Sequence, residues 1–251
     1  MILTLDLGNS SLYSIVYDLE GNKISSQRHD TLLEVNKDYY AYIMKSIQED
    51  CQCEFTKIVL SCVVPKLKEI LLEVLNEQFE CDILVVDTSS VDLKIHLDNP
   101  LELGADFIAS AYAALSKFEG PSIIIDMGTA SKISVVDHPN VFLGGIIQPG
   151  IRQQAIILNQ NIPHLPKIPL ELPKKVLGHT TIECIQSGIM YGALHSLIGL
   201  AHEIEKEINK QCNIIFTGGY VNLYDTTKLN YLPDLLNDGL YLIAASTLST
   251  L

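Results

Sequence analysis

Three acidic positions carry the chemistry open to this chain. Asp6-Leu7-Gly8-Asn9-Ser10 follows the apolar run Ile2-Leu3-Thr4-Leu5, and Asp126-Met127-Gly128-Thr129-Ala130 follows Ile123-Ile124-Ile125. Each run is short and stopped by Asp-x-Gly, which predicts a buried strand ending in a tight turn. Glycine lets backbone N–H groups approach a phosphate because no Cβ intervenes. The aspartate can hold a cation or a water beside that phosphate, and the Asn or Thr adds a hydrogen-bonding group. One such motif is an ordinary strand-to-turn junction. Two at matching strand ends, 120 residues apart, predict a duplicated domain that grips a nucleotide.

The third acid is Asp106 in Gly104-Ala105-Asp106. It opens the pattern Ala105, Ile108, Ala109, Tyr112, Leu115, which has helical spacing. In the first helical turn the dipole stabilises an anion, a structural use. A carboxylate held there can also act as general base on a substrate hydroxyl. Thr180 and Glu183 fit a capping box before a long helix, and Thr181 beside them offers a hydroxyl to a substrate. Thr217-Gly218-Gly219 is either a plain left-handed turn or bare backbone on which adenine or ribose can lie. Gly144-Gly145 and Pro149-Gly150 flank Ile146-Ile147-Gln148, as a turn and helix start or as a substrate loop. The sequence has no Gly-x4-Gly-Lys-Ser/Thr, no Gly-x-Gly-x-x-Gly and no Gly-x-Ser-x-Gly. A nucleotide must therefore be held without a P-loop, a dinucleotide fingerprint or a protein-kinase glycine loop.

The elements that position these residues follow from periodicity. Ile2–Leu5, Leu12–Tyr17 and Lys23–Gln27 read as a meander, with Glu20-Gly21-Asn22 as its hairpin turn. Tyr39–Ile47 reads as a helix, Ile58–Ser61 as a strand, and Pro65 as the start of a helix carrying Leu67, Ile70, Leu71 and Val74. Ile83–Val86 is a further strand, and Thr88–Pro100 a connector or active-site loop. The second half begins in similar order, with strands Ser122–Ile125, Ile133–Val136 and Val141–Ile147, then a helix after Pro149-Gly150. Four prolines between Pro163 and Pro173 make that stretch irregular. A long helix is expected from about Thr180 to Lys206, with Gly188 and Gly192 on a face open to a close neighbour helix. Ile214–Phe216 is a strand. Pro233 argues for a last helix that begins only near Gly239 or Leu240.

The length of 251 residues fits one large domain or two small ones, divided here as 1–117 and 118–251. A hydrophobic content of 47% is enough for a sizeable core. The net charge of −13 opposes a broad nucleic-acid footprint, but backbone amides and a metal ion can still hold phosphate. The expectations are no secretory signal, no membrane span and a cytoplasmic location. The cysteines at 51, 53, 62, 81, 184 and 212 need not be disulfide staples in such a chain. Cys62, Cys184 and Cys212 read as buried thiols. Cys51-Gln52-Cys53 is too close for an ordinary zinc knuckle.

Taken in order, several motifs resemble those of the type III pantothenate kinases. They are Asp6–Ser10, Ser61-Cys62-Val63-Val64-Pro65, Asn99-Pro100, Gly104–Asp106, Asp126–Ala130, Gly144–Gly150 and Thr217–Gly219. The resemblance covers nearly the whole chain. It implies an α/β fold, the duplicated actin-like, hexokinase-like ATPase with mixed sheets flanked by helices. It implies ATP-dependent phosphorylation of pantothenate to 4'-phosphopantothenate, the first step towards coenzyme A. The implied cofactors are ATP, Mg²⁺ and a monovalent cation, K⁺ or NH₄⁺, and the implied assembly is a homodimer with no nucleic-acid or membrane partner. By motif position, Asp6, Leu7, Gly8, Asn9, Ser10, Ser11, Leu12 and Tyr13 would bind ATP phosphates, and Thr129 would contact ATP. Asp106 would be the general base. Gly104, Ala105, Asp106, Phe107 and Thr181 would line the pantothenate site, and Asp126 would bind the monovalent cation.

Three departures bear on that reading. Phe107 stands where the family usually has an arginine, so it cannot pair with a carboxylate. Leu97 stands where a tyrosine contacts the substrate. The second-loop pattern Thr-Ala-Thr-Thr-Phe-Asp reads Thr129-Ala130-Ser131-Lys132-Ile133-Ser134 here. Lys132 is a candidate replacement for the missing positive charge. The alternatives are a catalytically weakened regulatory homologue and a kinase for a different small alcohol.

Overall fold

The computed structural model describes residues 1–32, 34 and 36–248, which form two compact units. The first holds Met1–Lys117 together with the last helix, and the second holds Phe118–Asp234.

In the first unit the sheet order is β3-β2-β1-β4-β5. The strands are β1 (Ile2–Leu7), β2 (Ser11–Tyr17), β3 (Lys23–Asp30), β4 (Lys57–Cys62) and β5 (Asp82–Val85). β1 to β3 run antiparallel, and β4 and β5 run parallel to β1. The central strand β1 is buried on both faces, with only Asp6 half-buried. The edge strand β3 alternates half-buried and exposed polar residues, which blunts its open edge. Period-2 geometry sorts the β1 side chains. Leu3, Leu5 and Leu7 join a core cluster with Tyr40, Ile43, Met44 and Ile47 of α1 (Lys37–Cys51) and Leu67, Leu71 and Val74 of α2 (Pro65–Gln78). Thr4 lies on the opposite face, where its hydroxyl donates to Asn237 Oδ1 at 2.8 Å. Asp6 shares that face by parity. α3 (Ala105–Lys117) packs there with the last helix, α6 (Leu235–Leu248). A two-residue strand, β6 (Lys94–Ile95), lies in the connector before α3.

Two expectations are corrected here. α6 begins at Leu235, not near Gly239, and it belongs to the first unit rather than to a half formed by 118–251. Pro233 precedes the helix, where it breaks no helical hydrogen bond. Gly239 sits inside α6 against the Ala109 backbone of α3, so close that a Cβ would collide with the Ala109 carbonyl. The helix tolerates a poor helix former because that residue permits the crossing.

The second unit repeats the strand plan. Its strands are β7 (Ser122–Met127), β8 (Ala130–Asp137), β9 (Val141–Pro149) and β10 (Asn213–Thr217), ordered β10-β7-β8-β9. β7, β8 and β9 run antiparallel, and β10 runs parallel to β7. Ile123, Ile125 and Met127 face a core with Ile189, Met190, Ala193 and Leu197 of α5 (Thr181–Ile208) and Ile151 of α4 (Ile151–Asn161). Asp126 is on the opposite face by the same parity as Asp6. The proline-rich stretch after α4 is irregular, as expected.

α5 is long and apolar enough to cross a membrane by composition, yet its apolar stripe packs on this core. Gly188 and Gly192 face open space, so the expected close neighbour helix is not there among the described residues. The cysteine expectations also change. Cys51 and Cys53 are joined by a disulfide at the end of α1. Cys184 is exposed and Cys62 and Cys212 are only half-buried, because each lies at an element end rather than on a core stripe.

Candidate active site

In the first unit, the β1–β2 hairpin builds a rigid turn around its acid. Asp6 is the penultimate residue of β1 and is half-buried, opposite Tyr13 on β2 and Ser61 on β4. The Gly8 N–H donates to Ser11 O at 3.0 Å, which closes the Gly8-Asn9-Ser10 turn. Thr31 holds the turn from outside, donating its hydroxyl to Gly8 O at 2.7 Å and its N–H to Ser10 O at 3.1 Å. Asn9 and Ser10 are exposed, whereas the Leu7 and Leu12 side chains are fully buried. Leu7 and Leu12 therefore present only backbone to any ligand. Among the described residues the buried Ser61 hydroxyl has no hydrogen-bond partner, an orphan beside Asp6 in the register.

Sequence reasoning missed Arg28 of β3. Its guanidinium lies 3.9 Å from the Tyr13 ring centroid and donates to Ser11 Oγ at 2.9 Å. The two rows of alternating residues in β2 and β3 would have paired Tyr13 with Arg28 once the hairpin turn was placed.

Asp106 stands in the first turn of α3, half-buried, with Oδ1 accepting the Phe107 N–H at 2.9 Å. Gly104 is pinned beside it: a Cβ there would lie 2.6 Å from Asp106 Oδ1. Ala105 is buried and Phe107 half-buried. The carboxylate thus has one oxygen fixed by backbone in the first turn of a helix. Asp6 and Asp106 belong to the same face of the first unit, that of β1 packed by α3 and α6.

In the second unit, three glycine turns converge on Asp126. The Gly128 N–H donates to Ala130 O at 3.2 Å, and the Gly150 N–H donates to Thr129 O at 3.2 Å. A Cβ on Gly150 would strike the Gly128 and Thr129 carbonyls. Gly218 has φ of +94°, and a Cβ there would strike Asp126 Oδ1 and the Met127 backbone. Pro149-Gly150 and Thr217-Gly218-Gly219, each open to two readings in the sequence, are thereby parts of one site with Asp126–Ala130.

Lys132 lies opposite Asp126 in the β7–β8 register, and its Nζ is 3.0 Å from Asp126 Oδ2. Both side chains are mostly buried, at 18% and 22% exposure. Its charge is paired with Asp126, a partner the sequence reading did not give it.

Thr180 and Glu183 form the expected capping box, with Thr180 Oγ1 accepting the Glu183 N–H and Glu183 Oε2 accepting the Thr180 N–H. The reciprocal bonds leave Thr181 at the first position of α5 and exposed. A cavity of about 520 Å³ elsewhere in the second unit, lined by Arg152, Ile156, Leu165, Lys167 and Ile185 among others, holds none of the motif residues.

Known proteins resemble this chain over nearly its whole length. The family model for type III pantothenate kinase matches residues 2–203. A type III pantothenate kinase of Legionella pneumophila (strain Paris) is 35% identical over 97% of this chain and 98% of its own. One from Exiguobacterium sp. is 34% identical over 89% of each. Among solved structures, a protein described as a Baf family transcriptional activator from Campylobacter jejuni matches with TM-score 0.64 at 20% identity, covering 98% of this chain and 99% of its own. The activator of 2-hydroxyisocaproyl-CoA dehydratase from Clostridium difficile, with bound ADPNP, matches at TM-score 0.55 and 12% identity over 99% of this chain and 96% of its own. These structures share the duplicated ATPase fold. The chain belongs to the type III pantothenate kinase family.

Proposed function

We propose that this chain transfers the γ-phosphoryl group of ATP to the primary hydroxyl of pantothenate. The observation that carries the reading is the family match over residues 2–203, which spans Asp6, Asp106, Asp126 and Thr181. Asp106 accepts the proton of the attacking hydroxyl, whose oxygen bonds to the γ-phosphorus as the bond to the β–γ bridging oxygen breaks. ADP and the phosphate ester leave. Such transfer depends on positioning and charge neutralisation, which rigid turns supply. The Asp6–Tyr13 hairpin end offers backbone N–H groups, the Asn9 and Ser10 side chains and the Ser11 hydroxyl to phosphate. In the first unit, Gly104, Ala105 and Phe107 line the alcohol site; in the second, Thr129 serves the nucleotide and Thr181 offers a hydroxyl to the alcohol.

No group of three or more His, Cys, Asp or Glu able to hold a metal occurs among the described residues. Mg²⁺ in phosphoryl transfer needs no such cage, because it binds one or two carboxylates plus substrate phosphates. Asp6, beside the orphaned Ser61 hydroxyl, fits that role, and the ion neutralises charge on the phosphates. A monovalent cation at Asp126 does not fit, because Lys132 is already there.

The working unit in this reading is a cytoplasmic homodimer. The exposed apolar residues Ile147, Ile156, Ile157, Val176, Leu177 and Ile182 crowd one stretch of the second unit and support burial against a second copy. A different small alcohol is the second reading, favoured by Phe107, which supplies no cation for a carboxylate. Steady-state ADP release with and without pantothenate tests both. The proposal expects pantothenate-dependent release that Asp106→Asn lowers about a hundredfold or more. Release stimulated only by alcohols lacking a carboxylate would move the assignment to the second reading.

A further inference from the structure

Asp126 occupies the place in the second unit that Asp6 occupies in the first, yet the two acids face different residues. Each is the penultimate residue of a central strand and abuts a glycine turn. Directly across the antiparallel neighbour, Asp6 meets Tyr13 and Asp126 meets Lys132. Opposite residues in such a pair are close enough for direct contact, and the Lys132 ammonium is 3.0 Å from Asp126 Oδ2. The other oxygen, Oδ1, is hemmed in by the Gly128 and Gly218 turns. One carboxylate oxygen is therefore paired with a tethered cation, and the other lies against two glycine turns. A free monovalent ion placed on this carboxylate would sit beside Lys132 and be repelled by it.

We propose that the Lys132 ammonium is the built-in monovalent cation of this protein, so that it works without K⁺ or NH₄⁺. An ammonium carries the same single charge as either ion, and the lysine stem delivers it as a compact point charge. Tethering it to β8 removes the need to capture an ion from solution. The residue at 132 is then a specificity determinant for salt. This inference rests on the kinase reading above for its activity arm only.

The test has two arms. Pantothenate-dependent ADP release is measured in choline chloride, KCl and NH₄Cl at equal ionic strength. The expected result is an unchanged rate across the three salts for the parent. Lys132→Thr is expected to lose about a hundredfold in choline and to regain rate in KCl. Stimulation of the parent by K⁺ or NH₄⁺ to a similar degree would overturn the proposal. The second arm needs no turnover: crystals soaked in RbCl are examined by anomalous scattering. No Rb⁺ at Asp126 in the parent, with Rb⁺ appearing there in Lys132→Thr, is expected. Rb⁺ bound at Asp126 in the parent would overturn the proposal even if the chain phosphorylated nothing. Absence of turnover in every salt would defeat the kinase reading and leave the Rb⁺ result to decide this one. Should Lys132→Thr fail to fold, the parent's salt series and Rb⁺ soak still decide it.

Discussion

The two units present the same strand plan with opposite electrostatic settings. β3-β2-β1-β4 in the first unit corresponds to β9-β8-β7-β10 in the second, pair by pair and direction by direction. The conserved geometry puts an aspartate at each central strand end, on the face away from the core cluster with α1 and α2 or with α4 and α5. The first unit sets Asp6 opposite an aromatic ring with Arg28 stacked on it and an orphaned Ser61 hydroxyl on the other side. The second sets Asp126 opposite an ammonium and against two glycine turns. One scaffold thus places an aspartate beside a ring and a buried hydroxyl in one unit and beside an ammonium in the other.

Substitutions at the two acids should separate those roles. Asp6→Asn is expected to lower kcat by about a hundredfold or more, because its charge serves the substrate. Activity at parental level would show that the two acids are not divided as described.

The next effect concerns what holds α6 on the first unit. Asp238 accepts hydrogen bonds from Tyr17 at 2.8 Å, Lys23 at 2.9 Å and Lys117 at 3.0 Å, with a side chain 17% exposed. Burial alone would raise this carboxyl, but the bonds from Lys23, Lys117 and Tyr17 outweigh it and hold it below its ordinary value. A depressed carboxylate contributes stability above its unfolded pKa and loses it as pH falls through the folded one. Asp238→Asn should therefore cost about 3 kcal/mol near neutral pH, and the gap to the parent should close in acid. Chemical denaturation at neutral pH and in acid measures both values; a gap that widened in acid would reverse the assignment.

Asp126→Asn is the counterpart to the first substitution. It leaves the largely buried Lys132 without its carboxylate, so a loss of about 2 kcal/mol in stability is expected from thermal unfolding. An unchanged Tm would mean that the ion pair is not a structural partner. The smallest effect belongs to a cap outside the comparison: Thr180→Ala should cost about 1 kcal/mol through loss of half the capping box. Urea unfolding checks it, and a loss several times larger would give Thr180 a role beyond the cap.

The strands that carry Asp6 and Asp126 were legible because each is a short, largely apolar run that ends visibly at Asp-x-Gly. The Thr180–Glu183 cap was legible because all of its partners lie within one turn. Position 239 was not. Glycine and the nearby Pro233 read locally as a late helix start, whereas the contact that makes Gly239 helical comes from Ala109 of α3. Lys132 and Arg28 were missed as partners of Asp126 and Tyr13 for a related reason. Cross-strand neighbours appear only after register is fixed, and no motif spacing reports register directly. The convergence of Gly150 and Gly218 on Asp126 is likewise tertiary, which is why each turn alone read as ambiguous.

The most direct measurement is the mass spectrum of pantothenate incubated with the protein, ATP and MgCl₂ in potassium-free buffer. The account predicts a pantothenate monophosphate formed in step with ADP, and about a hundredfold less or lower still with Asp106→Asn. ADP formed without any phosphorylated pantothenate, or no product from either, would contradict it.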